Sequence, residues 1–188
     1  MSDEVLTREL FGSGPAGEPT ETPGVFGVAD GGTVFLDEID KTGPSVQVAL
    51  LRILDEGTYV RAGEIHPRKS DVRLICATHA DMEALAAQDR FRRDLLTRLE
   101  VLSVTVPPLE ERGEDLDLLA QHFLYRFAEE ENRNCRTLSP AAVDLLRSTP
   151  WPNNVHGLRA VIQRAVIFSE GTELGSEDIA QALEALGY

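Results

Sequence analysis

The stretch Thr33-Val34-Phe35-Leu36-Asp37-Glu38 constrains this chain more than any other, because four residues suited to a buried strand run straight into two carboxylates. β-Branched and aromatic residues pack on a sheet, whereas adjacent acids need water, a cation or a helix N-terminus, so the two halves meet most easily at a strand end. Open α/β sheets bind their ligands just beyond the C-terminal ends of the strands. At such a place Asp37 could hold Mg2+ through its water shell, and Glu38 could orient or polarise a nucleophilic water. The competing reading is that the two acids merely begin a helix, favoured by its positive end.

The pattern around this stretch has two textures. Strand-like runs at residues 33–36, 72–78 and 101–106 alternate with helical spacings, Val48, Leu51, Ile53 and Leu54 in one and Leu95, Leu96 and Leu99 in the next. Strands separated by helices predict a parallel sheet covered on both faces. After Pro107-Pro108 the periodicity is helical only, at residues 115–134, 140–148, 155–169 and 176–186, with Ser139, Asn154 and Ser176 as N-caps for the last three. The expected class is α/β: a partial parallel-sheet core over residues 1–108, then an all-helical subdomain over 109–188. Residues 58–69 read as a hairpin turning near Ala62-Gly63, and residues 13–24 as a Pro- and Glu-rich loop.

Charge narrows the partners. Lys plus Arg number 18 against 32 Asp plus Glu, a formal net charge of -14, which argues against direct binding to DNA or to an anionic membrane. A basic partner or an Mg2+-bound ligand fits better. The cysteines, Cys76 and Cys135, lack metal-ligand spacing and point to a reducing, cytoplasmic setting.

Six blocks in order carry a family resemblance: "RELFG" (from Arg8), "GGTVFLDEID" (from Gly31), "VALLRILDEG" (from Val48), "DVRLICATHAD" (from Asp71), "FRRDLLTRLEVLSVTVPPLEER" (from Phe91) and "WPNNVHGL" (from Trp151). Together they resemble the AAA+ domain of sigma-54-dependent transcriptional activators, the bacterial enhancer-binding proteins. The resemblance implies an Mg-ATP hydrolase core followed by a helical lid. It implies that Asp37 and Glu38 are the Walker B pair, Asp37 holding Mg2+ and Glu38 activating water, and that Thr78, followed by His79, occupies the sensor I position. Arg92 and Arg98 match two trans-acting arginines that reach the next subunit's nucleotide, which implies assembly with other AAA+ subunits, self or paralogue, in a ring.

The departures from the family pattern generate expectations of their own. These residues contain no Gly-x-x-x-x-Gly-Lys-Ser/Thr, the phosphate cradle the family carries upstream of its Walker B strand, so the chain reads as the back two thirds of the module. The isolated chain is therefore expected neither to bind nor to hydrolyse ATP appreciably. The family's P-loop strand lies between the strand near Thr78 and the one at 101–106, so those two strands are expected either to meet or to leave edges that need a partner. His79 replaces the sensor Asn, and His156 replaces the lid's sensor II Arg with a shorter group that is largely neutral at pH 7. Asn153 stands where the family has a left-handed Gly, and Gly157 weakens the first turn of its helix by about 1 kcal/mol relative to Ala. Residues 13–24 lack the Phe of the family's sigma-54-engaging tip, so direct sigma-54 remodelling is expected to be lost. Three outcomes stay open: part of an ATPase, a non-catalytic module docking on an intact AAA+ partner and lending it Arg92 and Arg98, or an inactive relic.

Overall fold

The computed structural model describes residues 2–14 and 21–188, and half of the loop read at residues 13–24 lies outside them. The chain divides into two compact units, Met1–Val104 and Thr105–Tyr188.

The first unit opens with α1 (Asp3–Phe11), whose first turn is capped by the Ser2 side chain, and α2 (Gly24–Val28). The rings of Phe11 and Phe26 stack between them, 5.3 Å apart. Strand β1 (Thr33–Leu36) leads through a 3-10 turn to α3 (Pro44–Glu56), which starts on a proline, where the missing N–H costs nothing, and stops at Gly57 in the left-handed conformation (φ 63). The expected hairpin forms: β2 (Thr58–Tyr59) pairs antiparallel with β3 (Arg68–Lys69), and Gly63 turns with φ 89. Strand β4 (Arg73–Cys76) then lies parallel to β1 in the register Thr33↔Arg73 to Leu36↔Cys76. Short α4 (Met82–Ala87) and α5 (Arg93–Leu99) complete the unit.

Two expectations fail here. Among the described residues the sheet is not covered on both faces: Val34 is buried with Phe26, Ile39, Val46 and Leu50, while Phe35 is 60% exposed and Ile75 41% exposed on the other face. Residues 101–106 form no strand, because no neighbouring backbone supplies their ladder; Val101, Leu102, Val104 and Val106 all stand exposed. Residues 101–106 therefore do not pair with β4.

The second unit contains α6 (Asp115–Glu130), β5 (Thr137–Leu138), α7 (Pro140–Ser148), α8 (Asn154–Phe168), β6 (Glu173–Leu174) and α9 (Ser176–Leu186). Their inner faces close on Leu124, Phe127, Leu146, Trp151, Leu158 and Ile162. It is not all helix, since β5 and β6 pair in parallel through two residues. Ser139 caps α7 as expected, accepting the Ala142 N–H at 3.2 Å. The other caps differ. The last helix is capped at Gly175, whose N–H is held by the Asp178 carboxylate at 2.8 Å. Asn154 does not cap α8; it is the left-handed residue (φ 47), where Asn153 was expected to be, and its side-chain oxygen accepts the Leu109 N–H at 2.8 Å.

Candidate functional site

The C-terminal ends of β1 and β4 lie side by side, so the parallel register brings Asp37 and Glu38 to the same end of the sheet as Thr78 and His79. The ladder continues past the strands: Ala77 N–H donates to the Leu36 carbonyl at 2.9 Å, and Ile39 N–H donates to the Ala77 carbonyl at 3.1 Å. The acidic turn is thus bolted to the backbone just before Thr78. Glu38 itself is left-handed (φ 52, ψ 49), a conformation that costs a non-glycine residue of order 1 kcal/mol and clusters at functional sites. Its N–H is held by its neighbour, the Asp37 Oδ1, at 2.9 Å.

Sequence reasoning missed Asp40. Its carboxylate, 3% exposed, accepts the Thr78 hydroxyl at 2.6 Å and meets the Lys41 ammonium at 3.3 Å. The Thr78 hydroxyl in turn accepts the Ala80 N–H at 3.0 Å, so its orientation is fixed from both sides. That hydroxyl bond, opposed by burial and helped by Lys41, holds the Asp40 carboxyl below the usual range. The available signal was a third acid three residues after Asp37, facing the strand end that carries Thr. Cys76, at the end of β4, is pushed up to about 11 by burial, so its thiol is no ready nucleophile.

The two arginines sit apart from this turn in sequence but in the same unit. The Arg92 guanidinium forks onto the Asp94 carboxylate at 2.7 and 3.0 Å, and Arg98 Nε meets Asp55 Oδ1 at 2.7 Å; both arginines are exposed. The Arg92 backbone N–H donates to the Gln47 side-chain oxygen at 2.9 Å. Gln47 was also missed; a polar residue on the otherwise apolar buried face of α3, beside Val46, Leu50 and Ile53, was the clue.

His156 stands exposed in the first turn of α8, in the second unit. Next to it, Gly157 is buried for a steric reason: a Cβ there would lie 2.0 Å from the Tyr188 hydroxyl oxygen, whose ring packs on Trp151 with centroids 5.4 Å apart.

A divalent cation is testable against this donor set. No group of three or more His, Cys, Asp or Glu able to hold a metal occurs among the described residues. Asp37 retains an oxygen beyond the one its neighbour's N–H occupies. A single carboxylate at a strand end suits Mg2+ that brings waters and phosphate oxygens as its other ligands, and does not suit an ion caged by protein alone.

The chain thus holds an α/β unit with an Asp-Glu pair and a Thr at one sheet end, followed in sequence by a largely helical unit. Residues 1–105 match the Sigma-54 interaction domain and residues 110–186 the AAA+ ATPase lid domain, and the chain belongs to that sigma-54 interaction family. It is 40% identical over 187 residues to the nitrogen fixation protein AnfA of Azotobacter vinelandii, covering 98% of this chain and 35% of AnfA. It is 44% identical over 170 residues to the alginate biosynthesis transcriptional regulatory protein AlgB of Pseudomonas aeruginosa, covering 89% of this chain and 38% of AlgB. The chain spans about two fifths of the length of such relatives. Among solved structures, NtrX from Brucella abortus in complex with ATP superposes with a TM-score of 0.85 at 30% identity, covering 98% of this chain and 42% of that one. NtrX in complex with ADP gives 0.83 at 31%, covering 95% and 40%.

Proposed function

We propose that this chain supplies the Walker B, sensor and lid parts of an Mg-ATP hydrolase that regulates transcription in the cytoplasm. The convergence of Asp37, Glu38 and Thr78 at one sheet end carries the reading. Asp37 would hold Mg2+ through water, and the ion would neutralise phosphate charge. Glu38 would take a proton from the attacking water. Thr78, aimed by Asp40, and His79 would face the terminal phosphate. Arg92 and Arg98 would leave Asp94 and Asp55 for the nucleotide of a neighbouring AAA+ subunit, a forked cation suiting the developing phosphoryl charge. His156 would stand where a lid cation belongs.

The test fuses the P-loop half of an active relative to this chain, so that a phosphate cradle is present. The chimaera should hydrolyse ATP, and Glu38→Gln should lower turnover by about a hundredfold or more with ATP binding retained. A chimaera indifferent to Glu38→Gln would overturn the reading.

A second reading draws on departures inside the chain, His156 in place of the lid arginine and residues 13–24 without a Phe. The chain would then dock on an intact AAA+ subunit and lend it Arg92 and Arg98. Mixing it with such subunits should raise their ATP turnover, and Arg92→Ala should abolish the increase. On either reading we expect no direct DNA binding and no direct remodelling of sigma-54, given the acidic charge and a loop at 13–24 without an apolar tip residue.

A further inference from the structure

The buried amide of Gln47 joins two segments that the reaction would use separately. The residue is 2% exposed on the core face of α3. Its Nε2 donates to the Thr42 carbonyl at 2.9 Å and, more weakly, to the Arg90 carbonyl at 3.4 Å. Its Oε1 accepts the Arg92 N–H at 2.9 Å. Two carbonyls require the nitrogen and one N–H requires the oxygen, so the amide has a single orientation and engages backbone on both sides. Thr42 in turn is tied to the acidic turn, its hydroxyl donating to the Ile39 carbonyl at 2.7 Å, and Ile39 is held by Ala77. On the other side, Arg92 is the N-cap residue of α5 and makes no side-chain capping bond, so the Gln47 oxygen is what secures its N–H.

We propose that Gln47 is a positioning residue that couples the acidic turn to the arginine segment: when the turn at residues 37–42 shifts, the Thr42 carbonyl carries the amide with it and the backbone of Arg92 follows. This rests on the reading of Asp37 and Arg92 given above for its functional meaning, not for its geometry. An aliphatic residue of equal size would fill the same space, but it would transmit nothing between the two backbone segments that the amide bridges. The coupling gives a way for the state of one subunit's acidic turn to set the aim of the arginine it offers a neighbour.

The test needs no nucleotide, so its failure and the failure of the ATPase reading are separable. In the 15N-labelled 188-residue chain, Thr42→Val removes the hydroxyl bond to Ile39, whereas Thr42→Ser keeps it. Thr42→Val should shift the Arg92 amide resonance and speed its hydrogen exchange by about five- to tenfold, the opening expected from weakening one hydrogen bond, while Thr42→Ser should leave Arg92 unchanged. In a Gln47→Met background the Arg92 amide should exchange faster from the outset and respond no further to Thr42→Val. An Arg92 amide blind to Thr42→Val with Gln47 in place would overturn the proposal, and so would one that responds equally whether Gln47 is present or replaced. The Val and Ser comparison alone decides the matter if Gln47→Met does not fold.

Discussion

The two units solve the problem of burying backbone in different ways. The second is built from helices, which satisfy their own hydrogen bonds and need neighbours only for their apolar stripes; α6, α7, α8 and α9 provide these for one another around Phe127, Leu146, Trp151 and Ile162. The first carries its candidate site residues on a sheet that has two strands among the described residues, and a strand pair leaves an edge on each side and relies on other elements to cover its faces. Phe35, Ile75 and the exposed apolar residues at 101–104 mark what such a sheet leaves uncovered. The part that holds the candidate chemistry is thus the part least closed on itself.

The largest effect should come from attacking the closed unit. Trp151 is buried and its indole N–H donates to the Leu146 carbonyl at 3.0 Å, so Trp151→Ala should cost about 3 to 5 kcal/mol in the denaturant unfolding of the second unit followed by circular dichroism. Phe35→Ser, on the open face of the first unit, should change stability by less than about 0.5 kcal/mol. Comparable losses at both sites would erase the contrast.

The next effect concerns His156, proposed above to stand at the lid's cation position. In the ATPase chimaera, His156→Arg should raise turnover by about tenfold, since a charge-assisted contact of roughly 1.4 kcal/mol realised in the transition state has that effect on rate. A chimaera already fully active and indifferent to the change would show that the second unit's departure is harmless.

A smaller effect is expected at Asp40. A carboxyl held below its usual range contributes stability that is present above the unfolded-state pKa, about 3.9, and is lost as pH falls through the lower folded value. Asp40→Asn should therefore destabilise the first unit by about 1 kcal/mol at pH 7, with the difference from wild type shrinking only below about pH 4. A difference that vanishes near neutrality would contradict the Thr78 bond as its source.

The smallest effect is at Gly157, where helix propensity and packing oppose each other. Gly157→Ala alone should give no gain, because the added methyl meets the Tyr188 hydroxyl. In a Tyr188→Ala background the same change should stabilise the second unit by about 0.5 to 1 kcal/mol, the ordinary helical preference for Ala. A gain in both backgrounds would mean that Tyr188 does not occupy that space.

How much was legible follows the same division. Helices announced themselves through local spacing, and α7 was read to the residue because Pro140 and Ser139 are local signals. At the start of α8 the local reading failed: which of Asn153 and Asn154 takes the left-handed turn depends on Leu109, 45 residues away, and Gly157 is explained by Tyr188, not by helix chemistry. Residues 101–106 have strand composition and no strand, because a strand is a property of two segments and composition reports only one. The strand-end acids and Thr78 were visible as motif residues. Asp40 and Gln47 were not, since their partners at Thr78 and Arg92 are close only after folding.

The open edge itself can be read directly by amide hydrogen exchange on the 188-residue chain. Arg73 and Ala77 donate to the Gly32 and Leu36 carbonyls, so the two-residue period of a strand turns the Leu74 and Cys76 N–H groups away from β1. The amides of Leu74 and Cys76 should exchange at least about tenfold faster than that of Ile75, and faster still than those in the core of α8, whose opening requires the closed unit to unfold. Protection at Leu74 and Cys76 equal to that at Ile75 and in α8 would show that the edge is covered and that the contrast between the two units is false.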